Sequence, residues 1–85
     1  MNREQIAKRV NAVVAMEFEL NEAKLHEKST LYEELELDSL DSVDLFAALG
    51  REFELTIDRQ QDEPRLREIR TLGQVYDFVS DKLRQ

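Results

Sequence analysis

Ser39 has the setting that points most directly to chemistry. It stands between Asp38 and Leu40, where an acidic stretch meets an apolar pattern of helical spacing. A serine at such a junction has two uses. Its oxygen can cap the helix by accepting a backbone N–H, which is the commoner role. It can also remain an exposed hydroxyl beside unpaired N–H groups, a suitable place to attach a phosphate. Position alone does not choose between them. Hydrolytic use of Ser39 would need a base, and His26, the only histidine, lies in a polar stretch with no evident orienting acid. His26 therefore reads as a surface residue. There is no cysteine, which excludes disulfides, thiolate catalysis and cysteine-ligated zinc. A calcium loop from Asp38 would need an oxygen ligand at its third position, glycine at its sixth and glutamate at its twelfth. Leu40, Val43 and Leu49 stand there. The same template from Asp58 meets Glu63 where glycine is needed. No metal site is expected, and the many acids read as a solvated face.

The charge balance is 12 basic against 19 acidic residues, net −7, and it is unevenly placed. Residues 1–28 carry five of each sign, and residues 51–85 carry seven basic and eight acidic side chains. Residues 29–50 hold six acids (Glu33, Glu34, Glu36, Asp38, Asp41, Asp44) and no Lys or Arg. Nucleic acid and anionic membrane would be repelled by this segment. A protein with a basic patch would be steered toward it. The longest apolar runs are five residues, Ala12 to Met16 and Leu45 to Leu49, too short for a membrane-spanning helix or a signal peptide. The expected location is cytoplasmic and the expected state monomeric.

The elements that must position Ser39 are helical. Eighty-five residues, 41% of them hydrophobic, suffice for one domain with a small core. With two glycines, one proline and scattered β-branched residues, the chain reads as all-α: a small four-helix bundle, three helices long and one short. The first helix is predicted from about Arg3 to Met16, with Ile6, Val10, Val13 and Val14 on one face. Residues 19–38 read as a long loop anchored by Leu25, Leu31 and Leu35, with one helical turn from Thr30, where Glu33 would complete a capping box. The second helix starts at Asp38 or Ser39, with Asp41 in a first turn that favours negative charge. Leu45, Leu49 and Phe53, spaced by four, form its core stripe; Leu40, Val43 and Ala47 lie on a neighbouring face. Residues 54–63 read as a connector, and Pro64 as the first position of a short helix to about Arg70, capped by Asp62 or Glu63. Thr71 and Gln74 form a capping-box pattern opening a last helix to about Leu83.

The run Leu35-Glu36-Leu37-Asp38-Ser39-Leu40-Asp41-Ser42-Val43-Asp44-Leu45 resembles the prosthetic-group segment of the acyl carrier protein family. The triplet Asp38-Ser39-Leu40 is a weak match by itself, and its surroundings make it specific. Leu31 to Leu35 resembles the family's loop approach, Glu52-Phe53 the end of its second helix, and Ile69-Arg70-Thr71-Leu72 the start of its last. The resemblance spans nearly the whole chain, 1–85. It implies a discrete carrier, not an enzyme, with 4′-phosphopantetheine from coenzyme A linked to Ser39 by a phosphodiester. Asp38 would assist the phosphopantetheinyl transferase as the neighbouring acid. Leu40, Asp41, Val43, Asp44 and Ala47 would face partner enzymes such as a ketosynthase. Leu45, Leu49 and Phe53 would line an acyl-chain pocket, while ordinary core packing explains the same three residues.

Three departures accompany the resemblance. Glu36 stands where glycine is often found, three residues before the serine. Gly50 and Arg51 interrupt the usual acidic run. The stretch between Phe53 and Ile69 is longer and, with Arg70, carries Arg59, Arg65 and Arg67. They suit a carrier for fatty-acid or specialised, polyketide-like lipid biosynthesis, the specialised role better than the housekeeping one. The alternative is an acidic helical adaptor without a prosthetic group, docking a partner through the second helix. It accounts for the charge and the apolar face equally well and gives no reason for the serine.

Overall fold

The computed structural model describes residues 1–84, except that the Arg59 side chain lies outside the described residues. Among the described residues there are four α-helices: α1 (Arg3–Phe18), α2 (Ser39–Phe53), α3 (Arg59–Glu68) and α4 (Leu72–Leu83). A single 3₁₀ turn, Glu22–Lys24, interrupts the loop between α1 and α2.

Each of α1, α2 and α4 starts at a reciprocal cap. Asn2 accepts from the Gln5 N–H, and the Gln5 side chain accepts from Asn2. Thr71 and Gln74 do the same for α4, as their spacing predicts. The first helix runs one half-turn past Met16, because Phe18 and Leu20 pack on the core while Met16 stays exposed. Glu19 then turns left-handed at φ 55° and ends it.

Ile6, Val10 and Val14 of α1 meet Leu45, Leu49 and Phe53 of α2 and Leu72, Val75, Tyr76, Phe78 and Val79 of α4 in one buried cluster. Val13 is half-buried at its edge. The Phe46 and Phe78 rings meet edge to face, centroids 5.7 Å apart. Burial pushes the Tyr76 phenol above its ordinary pKa, partly opposed by its hydrogen bond to Asn11.

The long loop is fastened to the start of α4. Leu31 N–H donates to the Arg70 carbonyl (2.8 Å), Leu72 N–H to Ser29 (3.0 Å) and Gly73 N–H to Glu27 (2.9 Å). A Cβ at Gly73 would sit 2.9 Å from the Glu27 oxygen, so only glycine permits this approach. The helical turn expected at Thr30 is absent. Thr30 instead forms an isolated antiparallel bridge with Thr71, and its hydroxyl oxygen accepts from the N–H of Glu34, not Glu33. Pairing across to residues 70–72 holds this backbone in a turn that helical geometry would break.

The third helix begins earlier than its sequence suggests. Asp58 is the cap, accepting from the N–H groups of Gln60 and Gln61, and Pro64 lies inside the helix. An internal proline removes one hydrogen bond and costs about 3 kcal/mol. Asp62 offsets this by accepting from the Asp58 N–H (2.9 Å) and pairing with Lys82 of α4 (2.9 Å), both side chains largely buried. Arg65 pairs with Asp81 at 2.8 Å. None of the described α3 side chains is fully buried, and Leu66 is half-buried. Leu66 packing on the core and the ion pairs to α4 together attach it.

Candidate functional site

The start of α2 is built by two carboxylates. Asp38 Oδ1 accepts from the Asp41 N–H at 2.8 Å, and Asp41 Oδ2 accepts from the Asp38 N–H at 3.1 Å. Asp38 is thus the cap, and Ser39 is the first residue inside the helix. The capping role open to Ser39 in the sequence is already filled. Its side chain is exposed. The N–H groups of Ser39 and Leu40 fall among those a helix start leaves without intrahelical acceptors.

Beside Ser39 opens a groove of about 520 Å³ between α2 and α3. Its apolar wall is Val43, Phe46, Ala47, Ile57 and Leu66, with Tyr32, Ser39, Ser42, Glu63 and Arg67 as the polar lining. The Tyr32 and Ser42 hydroxyls share a hydrogen bond of 3.0 Å, and Ser42 Oγ also donates to the Asp38 carbonyl at 3.3 Å. The groove therefore joins the attachment candidate to an apolar surface.

The other sequence-derived candidates separate into two sets. Leu40, at 75% exposure, and Val43, at 50%, project from α2 as expected of a docking face. Asp44 and Ala47 are exposed with them, whereas Asp41 is half-buried by its capping role. Leu45, Leu49 and Phe53 are in the packed core and do not line the groove. Phe46 was not singled out by the sequence reading, although Ser39, Val43 and Phe46 share one face at spacings of four and three. Ile57, Leu66 and Arg67 carry no such signal, since only the placement of α3 and of the connector before it brings them here.

Among the described residues no acid of the 29–50 segment forms an ion pair, whereas Glu27, Glu52, Asp62, Glu63, Asp77 and Asp81 all do. The negative charge is left unneutralised around Ser39. His26 is exposed, its Nδ1 accepting from the Lys28 N–H. No cluster of three or more potential metal ligands occurs among the described residues, and none of their helices is long and apolar enough to cross a membrane.

This donor set fits a phosphodiester-linked group. An exposed hydroxyl, unspent on capping, stands at a helix N-terminus whose dipole and N–H groups favour an anion. A helical bundle with such a serine beside an apolar groove is compatible with a carrier domain for a covalently attached arm. Residues 8–79 match the family described as the phosphopantetheine attachment site. The chain is 34% identical over 83 residues to an acyl carrier protein of Thermosynechococcus vestitus, covering 98% of both chains. It is 29% identical over 82 residues to an acyl carrier protein of Thermotoga maritima, covering 96% of both. The chain belongs to the acyl carrier protein family. It is accordingly a carrier and not an enzyme, with covalently bound 4′-phosphopantetheine as its prosthetic group. The adaptor reading, which has no such group, is set aside.

Proposed function

We propose that Ser39 is the attachment point and that the chain carries acyl intermediates of a specialised, polyketide-like or lipid biosynthetic pathway in the cytoplasm. The observation that carries this reading is the exposed Ser39 hydroxyl, released from capping by Asp38 and opening on the groove. When bound, 4′-phosphopantetheine supplies a flexible arm whose terminal thiol holds acyl groups as thioesters. The protein's part is to hold, present and shelter. Asp38 fixes the start of α2 and offers the transferase a carboxylate beside Ser39. Leu40, Val43, Asp44 and Ala47 form the surface met by partner enzymes with basic patches, the transferase and a ketosynthase among them. Val43, Phe46, Ala47, Ile57 and Leu66 provide apolar surface for a chain entering from Ser39. Leu45, Leu49 and Phe53 act behind them as the core that Phe46 rests on.

Tethering replaces diffusion of the substrate by a high effective concentration at each docked enzyme. Docking has to be weak enough for release, and a small charged contact surface gives rapid association without a large buried area. The arginines of α3 and the Gly50–Arg51 step support a dedicated pathway over general fatty-acid synthesis, because they alter the charge that partners meet. The test is intact mass after incubation with coenzyme A and a phosphopantetheinyl transferase. Wild type gains one arm and Ser39→Ala gains none. Loading of the alanine variant, or refusal of wild type by several transferases, sinks the assignment.

A further inference from the structure

The arginines between residues 59 and 70 enter the proposed function only through their summed charge, and the described ones are not equivalent. Arg65 turns to α4, pairing with Asp81 at 2.8 Å and lying over the Phe78 ring at 5.4 Å. Arg70 donates to the carbonyls of Arg67 and Ile69 and covers the Tyr32 ring at 5.7 Å. Arg67 is held differently. Its guanidinium meets Glu63 at 2.8 Å, with the two side chains 76% and 51% exposed. An exposed pair of this kind contributes little and exchanges readily.

Among the described residues, Arg67 is also the only cationic side chain lining the groove that opens at Ser39. A phosphodiester on Ser39 adds a fixed negative charge next to Asp38 and Asp41, in a segment with six acids and no base. The N–H groups at the start of α2 can face that anion from one side. A guanidinium across the groove can face it from the other, with a planar fork of donors that matches phosphate oxygens.

We propose that Arg67 is the counterion of the phosphodiester on Ser39, leaving Glu63 for the phosphate when the arm is attached. This rests on Ser39 being the attachment site. A carboxylate at the far end of a cargo chain would offer the same guanidinium the same chemistry, so the experiment includes both.

The full chain is prepared unmodified, with the thiol arm, and with the arm carrying a hexanoyl or a glutaryl group; intact mass confirms loading at each stage. Phosphorus NMR is recorded for wild type, Arg67→Gln and Arg65→Gln, together with the arginine side-chain N–H resonances. Attachment should shift the Arg67 resonance in both thiol and hexanoyl forms. The phosphorus signal should move in Arg67→Gln, stay in place in Arg65→Gln, and in wild type approach the Arg67→Gln position as salt is raised. Absence of the mass increase refutes attachment, and the proposal falls with it. Successful loading with identical phosphorus signals in wild type and Arg67→Gln refutes the proposal alone. An Arg67 response confined to the glutaryl form also overturns it, placing the guanidinium on the cargo.

Discussion

Asp38 and Asp41 hold each other's backbone N–H groups across the first turn of α2, at 2.8 and 3.1 Å, with Ser39 between them and outside the exchange. The two acids stabilise the helix start, and the Ser39 hydroxyl takes no part in the cap. Asp38→Ala should therefore lower stability by about 1 kcal/mol. Ser39→Ala should change it by less than about 0.5 kcal/mol, as a surface substitution does. Chemical denaturation of both variants checks the difference; equal losses would return a structural role to Ser39.

Glu36 adopts φ 58°, the left-handed conformation, three residues before Ser39. A side chain there costs roughly 1–2 kcal/mol, which glycine avoids at some expense in unfolded-chain entropy. Glu36→Gly should raise stability by about 0.5–1 kcal/mol without altering loading of the arm. A destabilised variant in thermal melts would show that the Glu36 side chain makes a stabilising contribution that outweighs the strain.

The groove and the core should respond differently to added bulk. Leu49 is fully buried, so Leu49→Ala should cost about 2–5 kcal/mol and Leu49→Phe about 1–3 kcal/mol from overpacking. Ala47 is exposed and lines the groove. A medium-length acyl group lying in the groove should raise the wild-type melting temperature, by up to about 0.8 kcal/mol of stability per buried methylene. Ala47→Phe should leave the thiol form near wild-type stability and abolish that rise. Identical melting curves for wild-type thiol and acyl forms would mean that cargo stays outside.

Asp62 and Lys82 are only 15% and 12% exposed in the ion pair that ties α3 to α4. Removing one partner leaves the other charged and poorly solvated, at a cost of about 1–3 kcal/mol. Lys82→Met should consequently speed amide hydrogen exchange in residues 60–68 more than in α1. Uniform acceleration throughout the chain would indicate that α3 opens only with the whole bundle.

Association with a partner enzyme should be steered by the acids of the 29–50 segment, none of which forms an ion pair among the described residues. Asp44→Lys is expected to slow association more than it speeds release. The effect should shrink at high salt, where screening acts within about 3 Å at 1 M. Asp81 is a poor comparison site because it pairs with Arg65; Glu4→Lys, in the exposed first turn of α1, is the better one. Equal slowing by both variants would leave only net charge as the cause.

The sequence by itself determined the elements whose signals are local. Asp38, Asp41, Thr71 and Gln74 mark helix starts because capping is a contact between residues three apart. The i, i+4 repeats of Ile6–Val10–Val14 and Leu45–Leu49–Phe53 mark core faces because one side of a helix must leave water. The charge segment and the Asp38-Ser39-Leu40 run needed no third dimension to be seen. Tertiary structure decided the rest. The start of α3 is not legible along the chain, because Pro64 is a strong local signal for a helix start while the interactions that outweigh it depend partly on Lys82 and Asp81 of another helix. The turn at Thr30 is set by pairing with Thr71, forty-one residues away. The groove exists only because α3 and the segment before it stand opposite α2, setting Ile57, Leu66 and Arg67 across from Val43, Phe46 and Ala47. Hydrogen-bond caps and periodic faces are written along the chain, whereas ion pairs and grooves depend on where separate elements come to rest.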